Sequence, residues 1–119
     1  MLYTNIFCMK LLDSDVLNIV RLYNVYGNLL TENQSNILSL FYDCDCSLAE
    51  IAEQYGVSRQ AVRDTIKKAE LTLLNLEEKL GILSKMKKIN AIAKDSQQNL
   101  SNTELLDKSL KTIVEITEV

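Results

Sequence analysis

The stretch that decides the fold is LAEIAEQYGVSRQAVRDTI, residues 48–66. Apolar residues recur at helical spacing on both sides of Gly56, which is followed by Val57 and Ser58. Glycine accepts the left-handed conformation that ends one helix, and serine caps the next helix with its side-chain oxygen. Two helices joined by such a short turn form a helix-turn-helix, and the sequence predicts this motif over residues 48–66.

Small and apolar residues fall at the positions that a helix-turn-helix requires. Ala52 is small where the two helices would cross closely, and Val57 is expected to fill the angle between them. We expect Ile51, Val62 and Ile66 to face the core. A helical corner that binds no ligand is the alternative interpretation of the same pattern.

Capping signals predict two further helices before the turn. A first helix is expected from about Ser14 to Tyr26, and Gly27 would end it in a left-handed conformation. The segments TENQ (31–34) and SLAE (47–50) have the spacing of capping boxes, in which each side chain bonds the other residue's backbone amide. One helix is therefore expected to begin at each box.

After the turn, the pattern predicts a long helix and then a shorter one. The long helix is expected from Arg59 to about Leu80, and Gly81 would end it. The polar segment DSQQNL (95–100) predicts a break, and SNTE (101–104) is a third capping box that predicts a last helix.

The chain of 119 residues is expected to be all-α. It contains no proline and three glycines, and 47% of its residues are apolar, which favours packed helices over turn-rich β structure. We expect a helix-turn-helix domain over residues 1–83, followed by a C-terminal helical extension over residues 84–119.

Residue types that support catalysis or metal binding are scarce. The chain has no histidine, the commonest general base and metal ligand, and no glycine-rich loop for phosphates. Its cysteines are Cys8, Cys44 and Cys46, and a four-ligand zinc site would need a second pair. We therefore expect no enzyme, no cofactor and no metal site, and the odd set of thiols indicates a reducing cytoplasm. Since no apolar run approaches the ~20 residues of a membrane helix, no membrane insertion is expected.

One face of the second motif helix carries the candidate residues for nucleic-acid binding. Because the formal charge of the chain is −3, such binding must come from a local basic patch. In the major groove arginine suits guanine and glutamine suits adenine, while serine and lysine can hold phosphates. For Asp64 and Lys68 the alternative, a solvated helix face, is preferred. The candidate residues are Ser58, Arg59, Gln60, Arg63 and Lys67.

The number of cations limits what one copy of this helix can do. The four cations in its first turns, Arg59, Arg63, Lys67 and Lys68, would give a slope of only about −3.6 in a plot of log affinity against log salt. Residues 31–58 hold five acids and no base, and some of these acids could lie within a Debye length of a docked phosphate. One copy is expected to bind weakly, so useful affinity needs two copies or another attachment point.

Apolar residues on the long helix predict a further contact. One set follows heptad spacing, and a second stripe lies further round the helix. A helix that is apolar on two sides must be covered on two sides, and the C-terminal helices, a second copy in a homodimer, a different protein and complete burial within one chain all stay open. The heptad set is Val62, Ile66, Ala69, Leu73, Leu76 and Leu80, and the second stripe is Leu71 and Leu74.

Residues 28–81 resemble the YlxM family, the small helix-turn-helix proteins associated with the bacterial signal recognition particle. The motif is also similar to the fourth region of sigma-70 factors, which reads promoter DNA. The sequence departs from the family pattern at Arg63, where an aromatic is usual, and at Thr65, where asparagine is usual. The matching segments are NLLT (28–31), LFY (40–42), SLAEIAE (47–53) and VSRQAV (57–62).

The resemblance implies a regulatory, cytoplasmic role near protein targeting, without catalytic activity. Two functions stay open. In the first, the protein is a nucleic-acid-binding regulator that works through the outward face of its recognition helix, on DNA. In the second, it is an interaction module of the targeting machinery, which binds the particle's GTPase subunit or its RNA through the exposed apolar stripe and the lysines of residues 85–94.

Overall fold

The structure, a computed structural model, describes residues 13–118, and every regular element within this range is a helix. The all-α class predicted from the sequence is therefore confirmed. The apolar N-terminal segment and Cys8 lie outside the described residues. The elements are α1 (Asp13–Tyr26), a short 3-10 helix (Gly27–Leu29), α2 (Glu32–Tyr42), α3 (Leu48–Tyr55), α4 (Arg59–Leu80), α5 (Ile82–Gln98) and α6 (Thr103–Thr117).

The chain forms two compact units, and the boundary between them falls between Lys79 and Leu80. The first unit contains α1, α2, α3 and nearly all of α4. The second contains α5 and α6, which pack against each other as a helical hairpin.

Side-chain caps begin α2 and α3, as the sequence predicts. At α2 the Gln34 amide donates to the Thr31 hydroxyl over 3.2 Å, and the Thr31 amide donates to the Gln34 side chain over 3.3 Å, so the capping box is complete. The Ser47 hydroxyl caps α3 by accepting from the Glu50 amide. These bonds satisfy backbone donors that have no partner inside a helix, so the predicted starts of α2 and α3 are confirmed.

Gly27 ends α1 for a different reason from the one predicted. Positive φ angles occur at Gly56 and Gly81 among the glycines, and Gly27 instead starts the 3-10 helix while buried. A Cβ atom at Gly27 would lie 3.2 Å from Cε2 of Tyr23, which is tighter than an ordinary carbon contact. The glycine is thus needed for a close approach to an aromatic ring, and the predicted left-handed conformation is wrong.

The second unit also differs from the predicted pattern. Helix α5 continues through Gln98, so most of the polar segment after residue 94 is helical, and Asn99 ends the helix with a side-chain bond of 2.9 Å to the Asp95 carbonyl. At α6 the cap is Asn102, whose side chain accepts from the Leu105 amide over 3.0 Å, and not Ser101. Polar side chains can bond nearby backbone groups within a helix as well as outside it, so polarity alone did not locate the break.

The core of the first unit is made by one face of each of its helices. The heptad residues of α4 are fully buried from Val62 to Leu73, so the first part of that pattern is covered within the chain itself. Ile51, Val62 and Ile66 have no exposed surface, which confirms that they face the core. The buried side chains are Leu22, Tyr26, Leu30, Ile37, Leu38, Phe41, Ile51, Ala52, Val62, Ile66, Ala69 and Leu73.

We expect Gly56→Ala to lower the free energy of unfolding by about 1–2 kcal/mol, because an L side chain disfavours the left-handed backbone at φ 65°. Among the described residues no atom lies within 4 Å of the added Cβ, so the loss comes from the backbone alone. Gly56→Asn is the control and should cost less, since asparagine tolerates this conformation. Urea unfolding measures both, and equal stability of the alanine variant and the parent would contradict the prediction.

Candidate nucleic-acid interface

The turn between α3 and α4 has the geometry of a helix-turn-helix. Gly56 adopts φ 65° and ψ 35°, and its amide donates back to carbonyls in the last turn of α3. The Val57 amide donates over 3.0 Å to the Ala52 carbonyl, which is also one of the two carbonyls that the Gly56 amide contacts. The Ser58 hydroxyl then accepts from the Ala61 amide over 3.0 Å and caps α4. Residues 56–58 therefore reverse the chain between two helices, as predicted.

Val57 does not fill the angle between these helices. Its side chain is 46% exposed, so the predicted role is wrong. Its amide is bound to the last turn of α3, which fixes the backbone there while the side chain faces solvent. Ala52, 6% exposed, is buried where a small residue was expected.

The candidate residues for nucleic-acid binding lie at the start and in the first turns of α4. Arg59, Gln60 and Lys67 are exposed there, and Ser58 is exposed although its hydroxyl is engaged in capping. Residues four apart on a helix lie on one face, so Arg59, Arg63 and Lys67 form a basic ridge of about two turns. The ridge starts at the helix N-terminus, where the partial positive charge of the helix dipole adds to that of the side chains.

Arg63 is less exposed than the sequence suggests. It is half-buried, and its Nε atom is buried without a hydrogen-bond partner. A long aliphatic stem allows arginine to lie along apolar surface while its terminal nitrogens reach outward. Arg63 is thus pinned along part of its length, whereas Arg59 stands free at the helix start.

Gln60 is already engaged with a neighbour. Its side-chain nitrogen donates to a carboxylate oxygen of Asp64 over 2.9 Å, one helical turn further on. This bond orients the amide and sets an acid beside the ridge. From the sequence we predict a solvated Asp64 and do not identify its bond to Gln60, although glutamine and aspartate four residues apart on a helix favour this bond.

Two tyrosine hydroxyls bond α4 just beyond the basic ridge, on the same face of the helix, since Glu70 is seven residues from Arg63. Tyr42, at the end of α2, donates to the Glu70 carboxylate, and Tyr26, at the end of α1, donates to the Glu77 carboxylate over 2.6 Å. The two glutamates are seven residues apart and so lie on one face of α4. Sequence reasoning missed both pairs, because a tyrosine among apolar residues does not indicate which distant acid it meets.

Burial changes the acidity of the Tyr42–Glu70 pair. It raises the pKa of the Glu70 carboxyl, and the Tyr42 hydroxyl and the Lys67 charge offset part of that rise. Burial, followed by the bond to Glu70, also raises the pKa of Tyr42 above its usual range. Glu70 lies one turn beyond Lys67 on the same face, so one cation of the ridge is partly compensated by a neighbouring acid, which reduces its pull on a phosphate.

We expect Glu70→Gln to flatten the pH dependence of stability. Because the folded pKa of Glu70 is raised, the folded state keeps its proton to higher pH than the unfolded chain does. The contribution of Glu70 to the free energy of unfolding therefore falls as pH rises from the pKa of the unfolded chain, about 4.3, through the pKa of the folded state. Urea unfolding between about pH 4 and pH 7 compares the variant with Glu78→Gln, an exposed control on the same helix. Parallel profiles for Glu70→Gln and the parent would contradict the prediction.

The cysteine loop between α2 and α3 offers no metal site. Cys44 is exposed and Cys46 is half-buried, and burial together with the nearby Glu50 raises the pKa of the Cys46 thiol. Since metals bind the thiolate, the raised pKa opposes binding. Within residues 13–118 no group of three or more potential ligands comes together.

Two exposed leucines remain on α4. Leu71 is 58% exposed and Leu74 is 44% exposed, so the second apolar stripe stays at least partly in contact with solvent. A pocket of about 130 Å³ opens beside Leu74, with Ile19 and Tyr42 among its walls. The described residues include no helix with both the length and the apolar character required to cross a bilayer.

The fold and the turn geometry define a helix-turn-helix protein. A family model described as "Putative helix-turn-helix protein, YlxM / p13 like" matches residues 14–113. The chain belongs to this family, UPF0122, and the resemblance drawn from residues 28–81 is confirmed.

Relatives in several bacteria carry the name UPF0122 protein. One from Desulforamulus reducens is 62% identical over 64 residues, which cover 54% of this chain and 55% of that protein. One from Clostridium kluyveri is 45% identical over 93 residues, covering 73% and 84% of the two chains. One from Bacillus cereus is 41% identical over 97 residues, covering 82% and 88%. The match to the Desulforamulus protein thus spans little more than half of its length.

Proposed function

We propose that this protein is a regulatory nucleic-acid-binding protein that places the first turns of α4 in the major groove of DNA. The observation that carries the proposal is the exposure of Arg59 and Gln60 at the N-terminus of a capped helix, directly after a left-handed turn. In helix-turn-helix proteins the N-terminal side chains of the second helix contact base edges.

Each candidate nucleic-acid-binding residue has a role that follows from its surroundings. Arg59 is free to make two hydrogen bonds to a guanine. The side-chain amide of Gln60 exchanges its hydrogen bond to Asp64 for hydrogen bonds to an adenine when DNA binds. Arg63 is half-buried and reaches the groove with its outer nitrogens only. Ser58 and Lys67 hold phosphates on either side.

Two copies acting together supply the affinity that one ridge lacks. The few cations of one ridge give a shallow salt dependence, and Glu50 and Glu53 are exposed on the preceding helix. A homodimer doubles the number of phosphate contacts and reads two half-sites. By resemblance to the YlxM proteins, the regulated process is the signal recognition particle pathway in the cytoplasm.

We expect Arg59→Ala to weaken binding to a preferred duplex by about 1–3 kcal/mol and to relax the preference at one base pair. Selection from random-sequence duplexes identifies the preferred site, and titration at two salt concentrations then separates base contacts from phosphate contacts. Lys79→Ala is the control, since it removes an exposed cation from the last turn of the same helix. Equal binding to every duplex by the parent protein would overturn the DNA proposal.

A second candidate function is an interaction module of the targeting machinery. Exposure of Leu71 and Leu74 favours it, because neighbouring exposed leucines on one helix face are suited to protein contact. All four lysines between residues 85 and 94 are exposed as well. Because the major groove of RNA is too narrow for a helix, lysines of this kind would bind RNA by charge and not by sequence.

We expect this second function, if it is the true one, to be lost in Leu71→Lys/Leu74→Lys while Arg59→Ala keeps it. Calorimetric titration of the particle's purified GTPase subunit, and separately of its RNA, measures the binding. The DNA function predicts that Arg59→Ala weakens binding to duplex DNA and that Leu71→Lys/Leu74→Lys keeps it. Binding of neither component by the parent protein would remove the second candidate.

A further inference from the structure

The hairpin of α5 and α6 carries apolar side chains in contact with solvent. Met86 on α5 is 53% exposed, while Leu110 and Val114 on α6 are 63% and 60% exposed. Ala93 on α5 is exposed as well. Exposed apolar side chains that share one face mark interaction surfaces, whereas single ones are ordinary.

These side chains lie on one side of the hairpin. The other side carries an open groove of about 300 Å³, with Asp95 of α5 and Thr112 of α6 among its walls. At about 100° per residue, Met86 lies about 180° from Asp95 around α5, and Leu110 lies about 160° from Thr112 around α6. Both helices therefore direct their exposed apolar residues away from the groove and toward the same side.

We propose that this apolar face, defined by Met86, Ala93, Leu110 and Val114, is the contact surface between two copies of this chain. Two helices bury only the strip along which they touch, and a second hairpin placed on the apolar face completes a four-helix bundle with an enclosed core. Ser109, which is buried on α6, allows the helices of one hairpin to approach closely.

Charge favours a second copy over an unrelated partner. Helix α5 carries four lysines and one acid, whereas α6 carries three acids and two lysines. A two-fold axis parallel to the helices places α5 of one copy against α6 of the other, and this contact then occurs twice across the axis. At about 100° per residue, Lys87 and Lys94 lie about 80–100° from Met86 around α5, and Glu104 lies about 80° from Val114 around α6, so these charges flank the apolar face. In the proposed pair the two lysines lie along the same edge as Glu104 and Glu118, the residue after α6, of the other copy. The hairpin is complementary to itself.

The size of the face agrees with a dimer in equilibrium with its monomer. Helices of 17 and 15 residues are about 25 Å and 22 Å long, and two packed helices are about 20 Å wide. The projected area is therefore about 500 Å² for each copy, or about 1,000 Å² in total, which reaches the lower range of specific interfaces. Dimerisation through this face is measured on the protein without nucleic acid, so its failure and the failure of DNA binding are distinguishable.

Sedimentation velocity of the full chain over a wide concentration range tests the proposal. We expect a monomer–dimer equilibrium for the parent and, for Leu110→Lys/Val114→Lys, a dissociation constant raised by about a hundredfold or more. Leu71→Lys/Leu74→Lys, which alters the exposed leucines of the first unit, is the matched control and should dimerise as the parent does. A parent that stays monomeric, or dimerisation lost only in the control, would overturn the proposal.

Charge reversal provides a second measurement that leaves the apolar residues in place. Lys87→Glu/Lys94→Glu and Glu104→Lys/Glu118→Lys should each dimerise at least tenfold more weakly than the parent. An equimolar mixture of the two variants should regain the parent's affinity as a heterodimer, which native mass spectrometry distinguishes by mass. Circular dichroism establishes that each variant is folded. Mixed variants that associate no better than either alone would contradict the pairing of α5 with α6.

Discussion

The left-handed turn at Gly56 is the constraint on which the exposed half of α4 depends. Its amide closes α3, the next amide bonds Ala52, and two residues later Ser58 caps α4. A chain of local hydrogen bonds thus sets the direction in which the long helix leaves the turn. Since Ile51 and Val62 are fully buried on either side of the turn, the core holds the two helices in that arrangement. Local geometry and core packing together leave Arg59 in solvent.

Features encoded by neighbouring residues could be predicted from the sequence, while features encoded by distant ones could not. The cap at Thr31, the turn at Gly56 and the end of α4 at Gly81 depend on a few adjacent residues, and the structure has them where expected. The need for glycine at position 27 follows from the orientation of the Tyr23 ring one helical turn earlier, which residue spacing alone does not give. The half-burial of Arg63 and the exposure of Val57 likewise depend on packing between helices, for which periodicity gives an average and not the individual case.

The candidate interface is a small basic region in an acidic protein, and the protein itself moderates it. Asp64 holds the amide of Gln60, and the carboxyl of Glu70 lies close enough to Lys67 to be influenced by its charge. Such neighbours weaken nonspecific attraction to phosphates, because part of each positive field is cancelled near its source. In the proposed DNA complex, selectivity then comes from correctly placed hydrogen bonds, and affinity comes from the number of copies bound. These separate sources suit the proposed regulator, which must release most of the sequences it meets.

The bonds from Tyr26 to Glu77 and from Tyr42 to Glu70 have a mechanical consequence. They attach α4 to two different helices at points two turns apart, one at each end of a seven-residue interval. A helix that is bonded at two points can neither rotate about its axis nor slide along it unless both hydrogen bonds break. The angular setting of Arg59, Arg63 and Lys67, which precede these bonds on the same face, is therefore inherited from α1 and α2, and a ligand meets a surface whose orientation was settled when the protein folded.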